Sequence, residues 1–134
     1  MDVLYPRLLV TDFPAAVEFY REVLAELFDV QPVKVIPEAA YANWDIEGQA
    51  GLVLYGRAVM ADTIGTTALP VTAAAQDSAM LVFKVDSVDA AVTVLEKHGA
   101  TTLAPAQARP AWGPTLRTAH LRTPDGTLVE LQSY

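Results

Sequence analysis

An α+β fold built from two βαβββ modules is what the sequence predicts, on three observations. Alternating apolar residues mark 3–10 as a strand, helical spacing marks 13–28 as a helix, and three short strands follow. The same order of elements restarts near residue 77. Shifting the second half by 75 residues sets Val85 on Val10, Ala90-Ala91-Val92 on Ala15-Ala16-Val17 and Leu95 on Tyr20, an internal repeat. We expect one domain over 1–134: module 1 over about 1–57, a connector over 58–76, and module 2 over about 77–134. Together they should form a curved mixed sheet with the helices on its convex side, leaving a concave face.

Each element has a local reason. In the first strand Leu4, Leu8 and Val10 share one face, while Val3, Tyr5, Arg7 and Leu9 share the other. Asp12 is the expected N-cap, Pro14 suits the first helical turn, and Val17, Tyr20, Leu24 and Phe28 form the apolar stripe. Strands follow at 33–36, 41–47 and 51–56, with Gly48-Gln49 as the turn between the last two. Residues 58–76 are small, polar and aperiodic, and read as a connector without an element of its own. In the second half a strand at 80–85 sets Met80, Val82 and Lys84 opposite Leu81, Phe83 and Val85. Ser87 caps a helix over 88–98 and Gly99 stops it. A short strand at 101–103 runs into a proline-rich loop, 105–110. The strands 115–122 and 127–133 flank Thr123-Pro124-Asp125-Gly126, which favours a type I turn followed by a glycine at positive φ. That turn pairs Thr123 with Thr127 and sets His120 opposite Glu130, with Ala119 and Leu121 on the helix side.

Composition narrows the function. With 52% hydrophobic and 19% charged residues the chain is not a disordered one. No apolar run reaches the roughly 20 residues that span a bilayer, and Met1-Asp2-Val3-Leu4-Tyr5 lacks the character of a signal peptide. There is no cysteine, so thiolate nucleophiles and cysteine zinc sites are excluded. These features point to the cytoplasm. Nine basic against 16 acidic side chains give a net charge of −7, which repels nucleic acid and anionic membranes. The same charge either draws in a cationic small molecule or serves solubility alone.

The stretch L-L-V-T-D-F-P-A-A-V-E-F-Y-R-E-V-L from Leu8 to Leu24 and the closing W-G-P-T-L-R-T-A-H-L-R-T-P-D-G-T-L-V-E-L from Trp112 to Leu131 resemble the vicinal oxygen chelate superfamily, the glyoxalase/bleomycin-resistance/extradiol-dioxygenase group. The resemblance runs over nearly the whole chain and implies the two-module fold. In metal-dependent members four strands each give one ligand, His or Gln from the first strand of a half and Glu from its last. Carried over residue by residue, those positions are Tyr5, Leu54, Met80 and Glu130. Leu54 cannot coordinate, the Met80 thioether is too soft, and a neutral tyrosine is a poor ligand. The resemblance therefore implies a member with neither metal nor other cofactor.

The candidate ligand-binding residues are Tyr5, Arg7, Trp44, Leu54, Met80, Trp112, His120 and Glu130. His120 and Glu130 are either a general acid/base couple or a cross-strand pair that satisfies itself. Glu130 either persists from a metal site or meets a cationic ligand. Trp112 either stacks on a planar ligand, as aromatic groups do in drug-sequestering relatives, or braces its loop. Trp44 packs beneath a helix or faces the cavity, depending on one residue of loop length. His98, at a helix C-terminus, reads as a surface residue. The leading expectation is a homodimeric protein that sequesters a small aromatic or amphipathic molecule, in the manner of the antibiotic-resistance members. A metal-independent isomerase or lyase using His120 and Glu130, and a metal-dependent lyase or dioxygenase with other ligands, are the alternatives. Whether the modules pair within one chain or between chains is open.

Overall fold

The computed structural model describes residues 3–71 and 76–134. The chain forms two compact units, Met1–Ala74 and Ala75–Tyr134. Part of the expected connector, residues 72–75, lies outside the described residues. No helix among the described residues is long and apolar enough to cross a membrane.

The first unit runs β1 (Arg7–Val10), α1 (Phe13–Phe28), β2 (Lys34–Ile36), a 3-10 turn (Pro37–Ala39), β3 (Tyr41–Ile46), β4 (Gln49–Gly56) and α2 (Arg57–Ile64). Its sheet has the order β1-β4-β3-β2, with β1 parallel to β4 and the other pairs antiparallel. Asp12 caps α1 as its sequence position demands, its Oδ1 accepting from Ala15 N at 3.1 Å. The apolar stripe of α1 supplies Phe13, Ala16, Val17, Phe19, Tyr20, Val23 and Leu24 to the core. The connector is not featureless: α2 starts directly after β4 with Gly56 as N-cap and stops at Gly65, whose backbone is left-handed. Its eight residues have almost no apolar stripe, so the periodicity that announces α1 is missing.

The β3–β4 hairpin corrects two expectations. Its two-residue turn is Glu47-Gly48, both at positive φ (53° and 78°), one residue earlier than Gly48-Gln49. The ladder then skips Gly51: Asp45 pairs with Ala50, but Trp44 pairs with Leu52. Beyond that bulge Ala42 pairs with Leu54, and Leu54 with Leu8 of β1. Leu8, Val10, Ala42, Trp44, Leu52 and Leu54 thus share one face. It is the buried one, since α1 packs on β4 and Trp44, Ala42 and Leu54 are fully inaccessible. Leu54 is therefore a core residue, not a lining residue of the other face. Of Trp44's two orientations, the structure has the core one. Burying side chains of this size stabilises the module by about 1.5–3 kcal/mol each.

The second unit runs β5 (Leu81–Lys84), α3 (Val88–Lys97), β6 (Thr101–Ala108), β7 (Arg117–Arg122) and β8 (Leu128–Ser133), in the sheet order β5-β8-β7-β6. Here β5 is parallel to β8, as β1 is to β4, so each half is a βαβββ module with its own four-stranded sheet. Ser87 Oγ accepts from Ala90 N at 3.2 Å and caps α3. His98 is the C-cap residue of α3, followed by Gly99 at φ 104°. The closing turn is as expected: Gly126 sits at φ 91°, its N–H donates to Thr123 O, and Thr123 N donates to Thr127 O. Two exposed ion pairs tie the module's polar surface, Arg117 to Asp89 and Arg122 to Asp77. The hydrogen bonds from these guanidinium groups hold both aspartate carboxyls below their ordinary pKa.

One boundary differs. The segment read as a proline-rich loop is strand for most of its length, β6 continuing through Pro105 to Ala108. The sheet order explains it, because β6 is an edge strand, where a residue without an N–H is tolerated. The register with β7 shifts twice on the way, between Thr102 and Ala104 and between Ala104 and Gln107.

Candidate functional site

Strand parity decides which side chains share the face of the second sheet opposite α3. Val129 and Leu131 of β8, with Ala119 and Leu121 of β7, are fully buried on the helix side. Glu130 and Gln132 therefore face the other way, beside Val82 and Lys84 of β5 and His120 and Thr118 of β7.

At the centre stands a relay of three polar groups. His120 Nε2 lies 2.9 Å from Glu130 Oε1, and Gln132 Nε2 donates to Glu130 Oε2, also at 2.9 Å. With Glu130 as a carboxylate, which only accepts, the hydrogen of this contact is carried by His120 Nε2. Glu130 is 7% exposed, so the two donors satisfy a group that burial would otherwise penalise. The sequence placed His120 opposite Glu130, and the register has them paired.

Above this trio lies the β6–β7 loop. Trp112 is 59% exposed, and its ring meets that of His120 edge-on at 6.4 Å between centroids. Arg109 places its Cζ 4.8 Å from the Trp112 ring centroid and donates Nε to Thr118 Oγ1 at 3.1 Å. The loop is closed by Arg109 N donating to Leu116 O and by Trp112 N donating to Arg109 O. Sequence reasoning missed Arg109, because it lies within the proline-rich stretch 105–110, where strand parity gives no direction.

The other expected residues fall as follows. Met80 precedes β5 and is 45% exposed. Lys84 lies over the Tyr134 ring, 4.3 Å from its centroid, and not on Glu130. In the first module Tyr5 precedes β1 and is partly exposed, and Arg7 lies over the Tyr55 ring at 5.6 Å. Tyr55 packs edge-on against Tyr41, and Asn43 Oδ1 is buried without a partner among the described residues. Trp44 and Leu54 are absent from this face for the reason given above. The two modules correspond through their parallel strand pairs, Arg7 with Val53 in one and Val82 with Glu130 in the other. The counterpart of Glu130 is thus Val53, not Leu54.

Two βαβββ modules in one chain are the architecture of the vicinal oxygen chelate proteins. The chain belongs to the Glyoxalase/Bleomycin resistance protein/Dioxygenase superfamily, whose family model matches residues 3–131. It is 33% identical to YraH of Bacillus subtilis (strain 168), an uncharacterized protein, over 98% of this chain and 97% of that one. Among solved structures, a glyoxalase/bleomycin resistance protein/dioxygenase family enzyme from Burkholderia phytofirmans PsJN superposes with a TM-score of 0.74 at 18% identity, covering 99% of this chain and 98% of that one. A glyoxalase-related enzyme from Fulvimarina pelagi gives 0.75 at 22% identity, over 100% of this chain and 88% of that one. At these identities the superpositions speak for the fold.

Proposed function

We propose that the protein binds a small planar molecule without a metal ion. The observation that carries this reading is the setting of Glu130: each of its oxygens is hydrogen-bonded within the module, one to His120 and one to Gln132, beneath an exposed tryptophan. Within the second module the β5 positions beside Glu130 are Val82 and Lys84, neither of them a metal ligand, and His120 Nε2 is turned onto Glu130 itself. Taking Met80 instead of Val82 adds no imidazole or carboxylate. Such a donor set does not fit a divalent cation, which needs three or more nitrogen, oxygen or thiolate ligands. Trp112, His120, Met80 and Val82 supply ring, thioether and aliphatic surface, and Tyr5 and Arg7 add to the first module's own face. The protein is expected to act in the cytoplasm as a homodimer, in the style of the antibiotic-resistance members.

A thermal-shift screen of planar aromatic compounds, run with and without Zn²⁺, Ni²⁺, Mn²⁺ and Fe²⁺, tests the reading. A ligand present at a hundred times its Kd adds about 2.7 kcal/mol of stability, by mass action alone. The stabilisation should not change with metal. Binding that appears only with a divalent ion would overturn the proposal.

The 2.9 Å contact between His120 and Glu130 favours a second reading, proton transfer next to a carbonyl with His120 as the base and Glu130 orienting it. Deuterium uptake from solvent into a ketone panel, abolished in His120→Gln, would favour that reading over simple binding.

A further inference from the structure

The arginines around the β6–β7 hairpin are not equivalent. Arg117 sends Nε and Nη2 to the two oxygens of Asp89, at 2.8 and 2.9 Å. Arg122 sends Nη1 and Nη2 to Asp77, at 2.9 and 2.8 Å. Arg109 has only the Thr118 hydroxyl on Nε and the indole of Trp112 beneath it, and no carboxylate partner among the described residues. Thr118 is fully buried, so the Nε bond fixes the guanidinium plane and leaves the Nη1/Nη2 edge for something else. Backbone hydrogen bonds across the loop hold both Arg109 and Trp112 on an ordered turn.

A guanidinium end offers two parallel N–H donors at the spacing of two carboxylate oxygens. The indole beside it offers apolar, polarisable surface to a conjugated ring. On the small-molecule-binding reading, we propose that Arg109 and Trp112 form an anion-recognition subsite that takes the carboxylate of a planar, conjugated acid. Net charge alone points the other way, since −7 favours cations. That long-range field is screened over about 8 Å at physiological salt, whereas a direct forked contact is not. Glu130 is not paired with Arg109, its side-chain hydrogen bonds going to His120 and Gln132.

Three compounds of one shape separate the possibilities: 2-naphthoate, neutral 2-naphthamide and cationic 2-naphthylmethylamine, titrated by calorimetry into the full chain. Naphthoate should bind about tenfold or more tightly than naphthamide, the worth of one charge-assisted hydrogen bond pair. Arg109→Gln should erase that preference, bringing the naphthoate and naphthamide affinities together. Arg109→Lys, which keeps the charge but loses the fork, should restore only part of it. Trp112→Leu should weaken all three compounds alike. Equal binding of the three, or a preference for the amine, overturns the anion subsite while leaving the small-molecule reading in place. Failure of all three to bind at millimolar concentration sinks both. The ranking of the three compounds on the wild-type chain decides the matter even where a variant fails to fold.

Discussion

Replacing Glu130 by glutamine changes one oxygen into an amide nitrogen and removes a charge, with almost no change in shape. Its carboxylate accepts from two donors, His120 Nε2 and Gln132 Nε2, each at 2.9 Å. A glutamine keeps an acceptor for one of them and presents N–H to the other. Gln132 is half-buried and its amide can turn to offer oxygen, so the net loss is about one charge-assisted bond, roughly 1.5–3 kcal/mol. For a chain of this length each kcal/mol moves the melting midpoint by about 3–5 °C, so Tm should fall by about 5–15 °C. Calorimetric melting of both proteins gives that number, and elemental analysis of the same samples should find divalent metal at background in each. An unchanged Tm would mean that the carboxylate is not held as described. Near-stoichiometric metal in the wild type that vanishes in Glu130→Gln would make Glu130 a metal ligand and refute the metal-independent reading.

Trp44 Nε1 is buried without a hydrogen-bond partner among the described residues, which costs about 1–3 kcal/mol. In urea unfolding Trp44→Phe should therefore stay within about 1–2 kcal/mol of wild type, whereas Trp44→Ala should lose about 3–5 kcal/mol. Asp77 and Asp89 have depressed pKa values through Arg122 and Arg117, so their contribution is complete above the unfolded carboxylate value of about 3.9 and disappears as pH falls below it. Stability should then rise with pH through that window, and melting of Asp77→Asn/Asp89→Asn should show a shallower acid slope. Light scattering across a concentration series should give the mass of a dimer; a monomer mass throughout would count against the assembly expected of this fold.

The reach of the sequence can be judged residue by residue. Period and caps gave α1 and α3 their starts, because Asp12 and Ser87 act within three residues of themselves. The Thr123–Gly126 turn carried its own register to Glu130, and so the His120 pair was legible. The Gly51 bulge was not, since nothing local distinguishes an unpaired glycine from a paired one. That single residue moved Leu54 to the core and made Val53 the counterpart of Glu130. Helix α2 lacked a stripe, and Pro105 disguised an edge strand as a loop. With that strand went the direction of Arg109, which is why the residue that now carries the ligand proposal was invisible beforehand.

Pro105 also has a meaning for the protein's life at high concentration. β6 is eight residues long and borders its sheet, the kind of margin onto which a stray strand from another molecule can add. A proline without an N–H and two breaks in its register with β7 interrupt the regularity of that strand. A newcomer could make a few bonds but could not template a ladder. The β6 margin, one of the two edges of the second sheet, is thus a poor template for fibril-like growth.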